Sequence, residues 1–212
     1  MGRFILIRHG ETAWNREKRF QGASDTALNE VGRLQAQLVA GALLRENVQS
    51  ILSSPLLRAR ETANIIGARL GVEVKVLTEL AELAFGEYEG RLESELREKH
   101  GERFIQWRES HYTLPAPGGD SILTVKERVG RAVEVMHRTV RLGDVAVVAH
   151  QGVLMALKAF LRNDYSVAAA KSFRQSNEEI EIWDPGEKRL VKRLVVAGSY
   201  AGLLSAAGAG GR

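Results

Sequence analysis

The hydrophobic pattern opens on a short unbroken run, Phe4-Ile5-Leu6-Ile7, that stops at Arg8-His9-Gly10. A continuous run of this length, rich in β-branched and aromatic residues, predicts a strand buried on both faces. A cation, an imidazole and a glycine then stand at its carboxyl end, where open α/β sheets bind ligands. The pattern repeats late in the chain, where Val145-Ala146-Val147-Val148 ends at His150. Between the two, Leu34, Leu38 and Ala42, with Val31, Val39 and Leu43, recur at helical spacing, and Asn29 can cap that helix, which is expected to run to about Arg45. Gln49–Ser53 reads as a short strand. Ser54-Pro55 leads into a helix with Pro55 in its first turn, ending near Gly71. Val72–Leu77 reads as a further strand, so the order is β-α-β-α-β, the mark of a parallel sheet with crossover helices.

The remaining pattern fills in the periphery. The polar connection from Glu11 to Thr26 is long for a compact domain, and such connections are often functional. Leu92–His100 and Phe104–Trp107 predict helices that cap the strand ends, and Leu114–Gly119, with two prolines and two glycines, is a turn. Thr124–Leu142 reads as a basic amphipathic helix and Val153–Leu161 as another helix. Glu178–Trp183 alternates with period two and predicts a half-exposed strand, with Leu190–Val196 returning beside it after the turn at Asp184-Pro185-Gly186. The expected fold is α/β: three layers, α/β/α, around a mostly parallel sheet, with a small helical cap over the C-terminal strand ends. One domain is expected over 1–197, with the cap inserted at about 91–117. The alanine- and glycine-rich tail, 198–212, is expected to be disordered.

Composition narrows the function classes. Among 212 residues, 44% are hydrophobic, which excludes wholesale disorder. The chain has no cysteine, so disulfide, thiolate and zinc-thiolate chemistry are excluded, and a reducing cytoplasm is the expected location. The start, Met-Gly-Arg before a strand, lacks a signal-peptide pattern, and no apolar run is long enough to span a bilayer. The net charge of +4 comes from 30 basic and 26 acidic residues that are interspersed, so nucleic acid is not an expected partner. The small excess favours an anionic small molecule.

Several motifs give that anion a chemistry. Arg8-His9-Gly10-Glu11-Thr12, followed by Trp14-Asn15, resembles the signature of the histidine phosphatase superfamily, which includes cofactor-dependent phosphoglycerate mutases and many small phosphatases. Ser53-Ser54-Pro55 leading to Arg58-Ala59 and Thr62-Ala63 resembles its second motif. Glu82, before Phe85-Gly86-Glu87-Tyr88-Glu89-Gly90, resembles its acid motif. Pro117-Gly118-Gly119-Asp120-Ser121 is similar to a turn of the small phosphatases, with aspartate in place of glutamate. Val148-Ala149-His150-Gln151-Gly152 resembles the second histidine motif, with Gln151 inserted before the glycine.

The resemblance implies a metal-independent phosphomonoesterase without a cofactor. In it His9 attacks phosphorus, Arg8, Arg58 and His150 hold the phosphate, and Glu82 is general acid and then base. Glu82 must then be able to carry a proton, which burial or an apolar neighbour such as Phe85 would favour. Asn15, Gln21, Gly22, Gln151 and Gly152 are the further candidates for substrate contact. The expected partner is a small anionic phosphorylated substrate, with no membrane involved and the assembly open, a homodimer included. The alternative is a cofactor-dependent phosphoglycerate mutase. Mutases of the superfamily carry paired arginines for the substrate carboxylate where this chain has Arg108-Glu109, so Glu109 is expected to repel that group.

Overall fold

The two apolar runs lie side by side. In the computed structural model, which describes residues 2–196, β1 (Phe4–Arg8) pairs in parallel with β4 (Asp144–Ala149), with Phe4 opposite Val145 and Arg8 opposite Ala149. β2 (Val48–Ser53) lies on the other side of β4 and β3 (Val74–Val76) beyond it, all parallel. β5 (Glu179–Asp184) pairs antiparallel with β1, and β6 (Arg189–Val195) antiparallel with β5, giving the order β3-β2-β4-β1-β5-β6.

Alternate residues of the central strands feed two cores, because successive strand side chains point to opposite faces. Ile5, Ile7, Ala146 and Val148 face α2 (Glu30–Leu43) and α3 (Leu57–Leu70), meeting Val39, Leu43 and Ile66. Phe4, Leu6, Val145 and Val147 face α5 (Lys126–Thr139) and α6 (Gln151–Arg162), meeting Val129, Met136, Val153 and Leu157. This is the three-layer α/β/α arrangement expected. The connections leaving β1 and β4 run over opposite faces, so the crevice between their carboxyl ends is a topological switch point, where such sheets place ligands.

The cap is α4 (Glu93–Glu109), broken at Gly101, whose φ of 50° and ψ of −126° separate the two helical stretches anticipated. Its Leu96, Phe104 and Trp107 join Phe85, Tyr88 and Tyr112 in the same core as α5 and α6, so the cap is fixed to the body by aromatic packing. Asn29 caps α2 as expected, accepting from the Gly32 N–H at 2.8 Å.

Four local expectations need correction. Pro55 lies outside α3, whose N-cap is Leu56. Ser54 Oγ accepts from the Leu56 N–H at 3.2 Å and Asp25 from the Leu57 N–H at 2.6 Å, so side chains rather than proline open that helix. The loop after β1 contains a one-turn helix, α1 (Ala13–Arg16), closed by a reciprocal cap between Thr12 and Asn15. A short α7 (Val167–Ser172), capped by Ser166, follows α6 where no helix was expected. β5 is not half-exposed: Glu181 is 1% exposed, because Lys158 of α6 meets it on the face it points to, at 2.6 Å. The expected disorder of 198–212 falls outside the described residues.

Candidate active site

The carboxyl ends of β1, β4 and β2 are joined by two backbone bonds, and β1 is tied to α3 by a third bond to a side chain. The His9 N–H donates to Ala149 O and the Ser54 N–H to Val148 O, each at 3.0 Å, and the Gly10 N–H donates to Thr62 Oγ1 on α3 at 3.0 Å. His9, Ser54 and Arg58 therefore meet His150 at one point of the sheet edge.

The imidazole of His9 is 3% exposed. Its Nδ1 lies 2.7 Å from the Gly10 carbonyl, which can only accept, so Nδ1 carries the proton. Nε2 is left as a lone pair and accepts from Arg58 Nε at 3.2 Å. Burial, then the Arg58 and Arg8 cations, push the His9 pKa well below the ordinary histidine range, which keeps that lone pair free at neutral pH. His150 is fully buried with its ring centroid 5.1 Å from that of His9. Its Nδ1 accepts from the same Arg58 Nε at 3.1 Å and its Nε2 donates to Ser54 Oγ at 2.7 Å. Burial, Arg58 and His9 hold it neutral as well.

Arg58 is 1% exposed, and among the described residues its hydrogen-bond partners are uncharged: the two imidazoles, the Ser24 carbonyl at 2.7 Å and the Gly22 carbonyl at 2.8 Å. Burial lowers its pKa to about 10. The Gly22 carbonyl can point at this guanidinium because the residue sits at φ +54°, where a Cβ would come within 2.2 Å of Glu89. Arg8 donates from Nη1 to the Gln175 carbonyl at 3.3 Å, while its Nε is buried without a partner among the described residues. Burial lowers the Arg8 pKa too. A buried cation, Arg58, and a half-buried one, Arg8, which has a spare donor, both without a contacting carboxylate among the described residues, form a receptor for an anion.

Glu82 comes from the loop before the cap and is 7% exposed. Its Oε1 accepts from the Leu83 and Val153 N–H groups, each at 2.9 Å, and its Oε2 from the Gly152 N–H at 3.0 Å. Two of these donors are at the amino end of α6, where the helix dipole adds to them. These three N–H groups fix the position of both carboxyl oxygens. Gly152 serves here through its N–H and its bareness: a Cβ would lie 2.8 Å from Glu82 Oε1.

A cavity of about 240 Å3 opens onto this group, lined by Arg8, His9, Asn15, Gln21, Gly22, Arg58, Glu82 and Gln151 among others. Of the residues singled out in the sequence, these eight are brought together, and His150 and Gly152 stand directly behind them. Asn15 also closes the α1 cap, and Gln21 Oε1 accepts from Thr12 and Thr26 at 2.9 and 2.7 Å, so both side chains are held by their own loop. Gln151 exchanges two bonds with the Gln175 backbone, donating to its carbonyl at 2.7 Å and accepting from its N–H at 3.1 Å.

The sequence did not single out Ser54, Tyr112, Lys18, Arg19, Phe20 or Glu93 for the site, although five of these line the cavity and Ser54 orients His150. Only Ser54, within the second motif, carried a signal. Arg108 of the cap lines the cavity, whereas Glu109 is exposed and does not, so the expected repulsion by Glu109 has no structural basis. Glu95 and Arg97 are spent within α4, capping the Leu92 N–H and pairing with Glu93. His111 lies beside Arg174.

Residues 4–197 match the family model of the histidine phosphatase superfamily, branch 1. Phosphoserine phosphatase 1 of Hydrogenobacter thermophilus is 36% identical over 157 residues, 74% of this chain and 74% of that protein. Glucosyl-3-phosphoglycerate phosphatase of Mycobacterium tuberculosis is 35% identical over 167 residues, 75% of this chain and 74% of that protein. The solved structure of a mycobacterial glucosyl-3-phosphoglycerate phosphatase complexed with VO3 superposes with a TM-score of 0.79 at 31% identity, covering 87% of this chain and 93% of that one. With the match spanning nearly all of the described fold, and with the motif side chains meeting at the switch point of its sheet, this chain belongs to the histidine phosphatase superfamily, branch 1.

Proposed function

We propose that the protein hydrolyses the phosphate monoester of a small phosphorylated metabolite through a phosphohistidine on His9. The observation that carries this reading is the Nε2 of His9, accepting from Arg58 while Nδ1 meets a carbonyl, at the base of a cavity beside two guanidiniums that no carboxylate contacts among the described residues. Its lone pair attacks phosphorus, and the bond from phosphorus to the ester oxygen breaks with its electron pair leaving on that oxygen. Arg8, Arg58 and His150 surround the equatorial oxygens and take up the developing charge. Glu82, having taken up a proton with the substrate, gives it to the departing alkoxide. It then accepts a proton from the water that displaces the histidine from phosphorus, and free phosphate leaves.

The relatives named above as phosphatases support hydrolysis over mutase activity, and the acids their names carry, phosphoserine and glucosyl-3-phosphoglycerate, are the first substrates to test. Among the described residues no helix is long and apolar enough to cross a membrane, and we assign the protein to the cytoplasm from its lack of cysteine. The decisive experiment is rapid quench with a 32P-labelled monoester in the presence of a chelator. An acid-labile label on His9, absent from His9→Ala, is the expected result. Label on another residue, or activity that returns only on adding a divalent metal, would overturn the mechanism.

A further inference from the structure

A buried cation that the chemistry above does not use lies on α6. Lys158 is fully buried, on a helix whose other inward residues are apolar apart from Gln151. Such a charge is costly unless each of its donors is satisfied. Here the three ammonium hydrogens have three acceptors: Glu181 Oε2 at 2.6 Å, Gln175 Oε1 at 3.0 Å and the Phe173 carbonyl at 3.0 Å. Glu181 is held in turn by Trp183 Nε1 at 3.0 Å and Arg193 at 2.8 Å.

Two of the three acceptors belong to the segment 173–177, and that segment touches the end of β1 at three places. The Gln175 side-chain amide donates to the Leu6 carbonyl at 2.8 Å, the Gln175 carbonyl accepts from Arg8 Nη1 at 3.3 Å, and Asn177 Nδ2 donates to the His9 carbonyl. Gln151 and Lys158 are seven residues apart, two turns of one helix face, so α6 grips the segment twice: Gln151 by the Gln175 backbone and Lys158 by the Gln175 side chain. The first turn of the same helix supplies the N–H groups that hold Glu82.

We propose that Lys158, with Glu181, is a positioning residue that fixes Arg8 and His9 relative to Glu82 by clamping Gln175. This rests on the assignment of the phosphate to Arg8 and His9. Apolar residues of similar volume would fill the space at less cost in desolvation, but they would leave the Gln175 side-chain oxygen and the Phe173 carbonyl without their donor. With those two grips lost, the segment that carries the Gln175 carbonyl is held to α6 by Gln151 alone, and the aim of Arg8 loosens. Arg8 then binds phosphate less well, and its cation stands off from His9.

The test is the double variant Lys158→Met/Glu181→Gln, which strands no buried charge, with Gln175→Leu as an independent variant that leaves the ion pair in place. Leu43→Ala, in the core on the opposite face of the sheet, is the control for lost stability. The affinity for inorganic phosphate is read by 31P NMR titration, which needs no turnover. We expect both variants to bind phosphate about tenfold or more weakly, the loss of one hydrogen bond to a charged group. The acid limb of kcat/KM should also move to higher pH. His9 faces Arg8 from β1, Arg58 from α3 and His150 from the end of β4, and only the first of these repulsions weakens. Leu43→Ala should lower Tm without changing either readout. Variants that lose Tm yet keep wild-type phosphate affinity and the wild-type acid limb would overturn the proposal. A wild type that binds phosphate but releases none from monoesters would instead overturn the hydrolase reading and leave the clamp to be judged by the titration alone.

Discussion

Glu82→Gln is the customary way to remove a carboxylic acid without changing its shape, and here it should not be benign. The carboxylate accepts three N–H groups, two on Oε1 and one on Oε2. A glutamine amide has one acceptor oxygen, which can serve Leu83 and Val153, while its NH2 then confronts the Gly152 N–H with no acceptor between them. One charge-assisted bond, worth about 1.5–3 kcal/mol, is lost, and the other two fall to neutral strength at roughly 1 kcal/mol each. The sum is about 3–5 kcal/mol. For a domain of this size each kcal/mol moves Tm by roughly 2–4 °C, so a drop of about 6–20 °C is expected. Calorimetry on both proteins at pH 7 measures it. In parallel, kcat/KM should fall by about 10²–10⁴ on an alkyl phosphate, whose leaving oxygen needs a proton, and much less on an aryl phosphate. A Tm within about 2 °C of wild type would refute the three-donor account of Glu82. Equal losses on the two esters, after correction for the unfolded fraction, would refute its role as acid.

Other predictions follow from the buried cations and imidazoles. Arg58→Lys should lower kcat/KM by about 10²–10³, because one ammonium cannot reach the Gly22 and Ser24 carbonyls and both imidazoles at once, and steady-state kinetics will show it. His9 and His150 both have folded pKa values below the unfolded value of about 6.5, so the unfolded chain takes up protons first as pH falls. Their contribution to stability is complete above that pH and is lost below it, at up to about 1.4 kcal/mol per pH unit for each histidine. Denaturant titrations between pH 7.5 and 5 should show this slope, and a flat profile would contradict the neutral assignments. The same depression places the acid limb of kcat/KM below the ordinary histidine range, which a pH–rate profile will locate.

The sequence by itself determined the frame of this protein. Unbroken apolar runs at Phe4–Ile7 and Val145–Val148 have only one stable setting, a strand covered on both faces, and helical spacing with a competent cap at Asn29 needs only local contacts. Arg8, His9, Arg58, Glu82 and His150 could be singled out because each sits in a stretch that resembles a motif of the superfamily; composition alone could not have chosen Glu82 among its neighbouring carboxylates. Tertiary structure decided everything that depends on a partner far along the chain. Period-two alternation at Glu178–Trp183 predicted a half-exposed strand and could not reveal that Lys158, from a helix on one face of the sheet, would hold Glu181 within the core. Adjacent residues of the cap, Arg108 and Glu109, differ only in helix phase, and packing turned the first toward the cavity and the second to solvent. The tautomer of His9, the carbonyls that hold Arg58 and the three N–H groups on Glu82 are backbone geometry, to which residue identity gives almost no clue. Gln175 and Asn177 reach the end of β1 from more than 160 positions away, a proximity set by the antiparallel return of β5 beside β1.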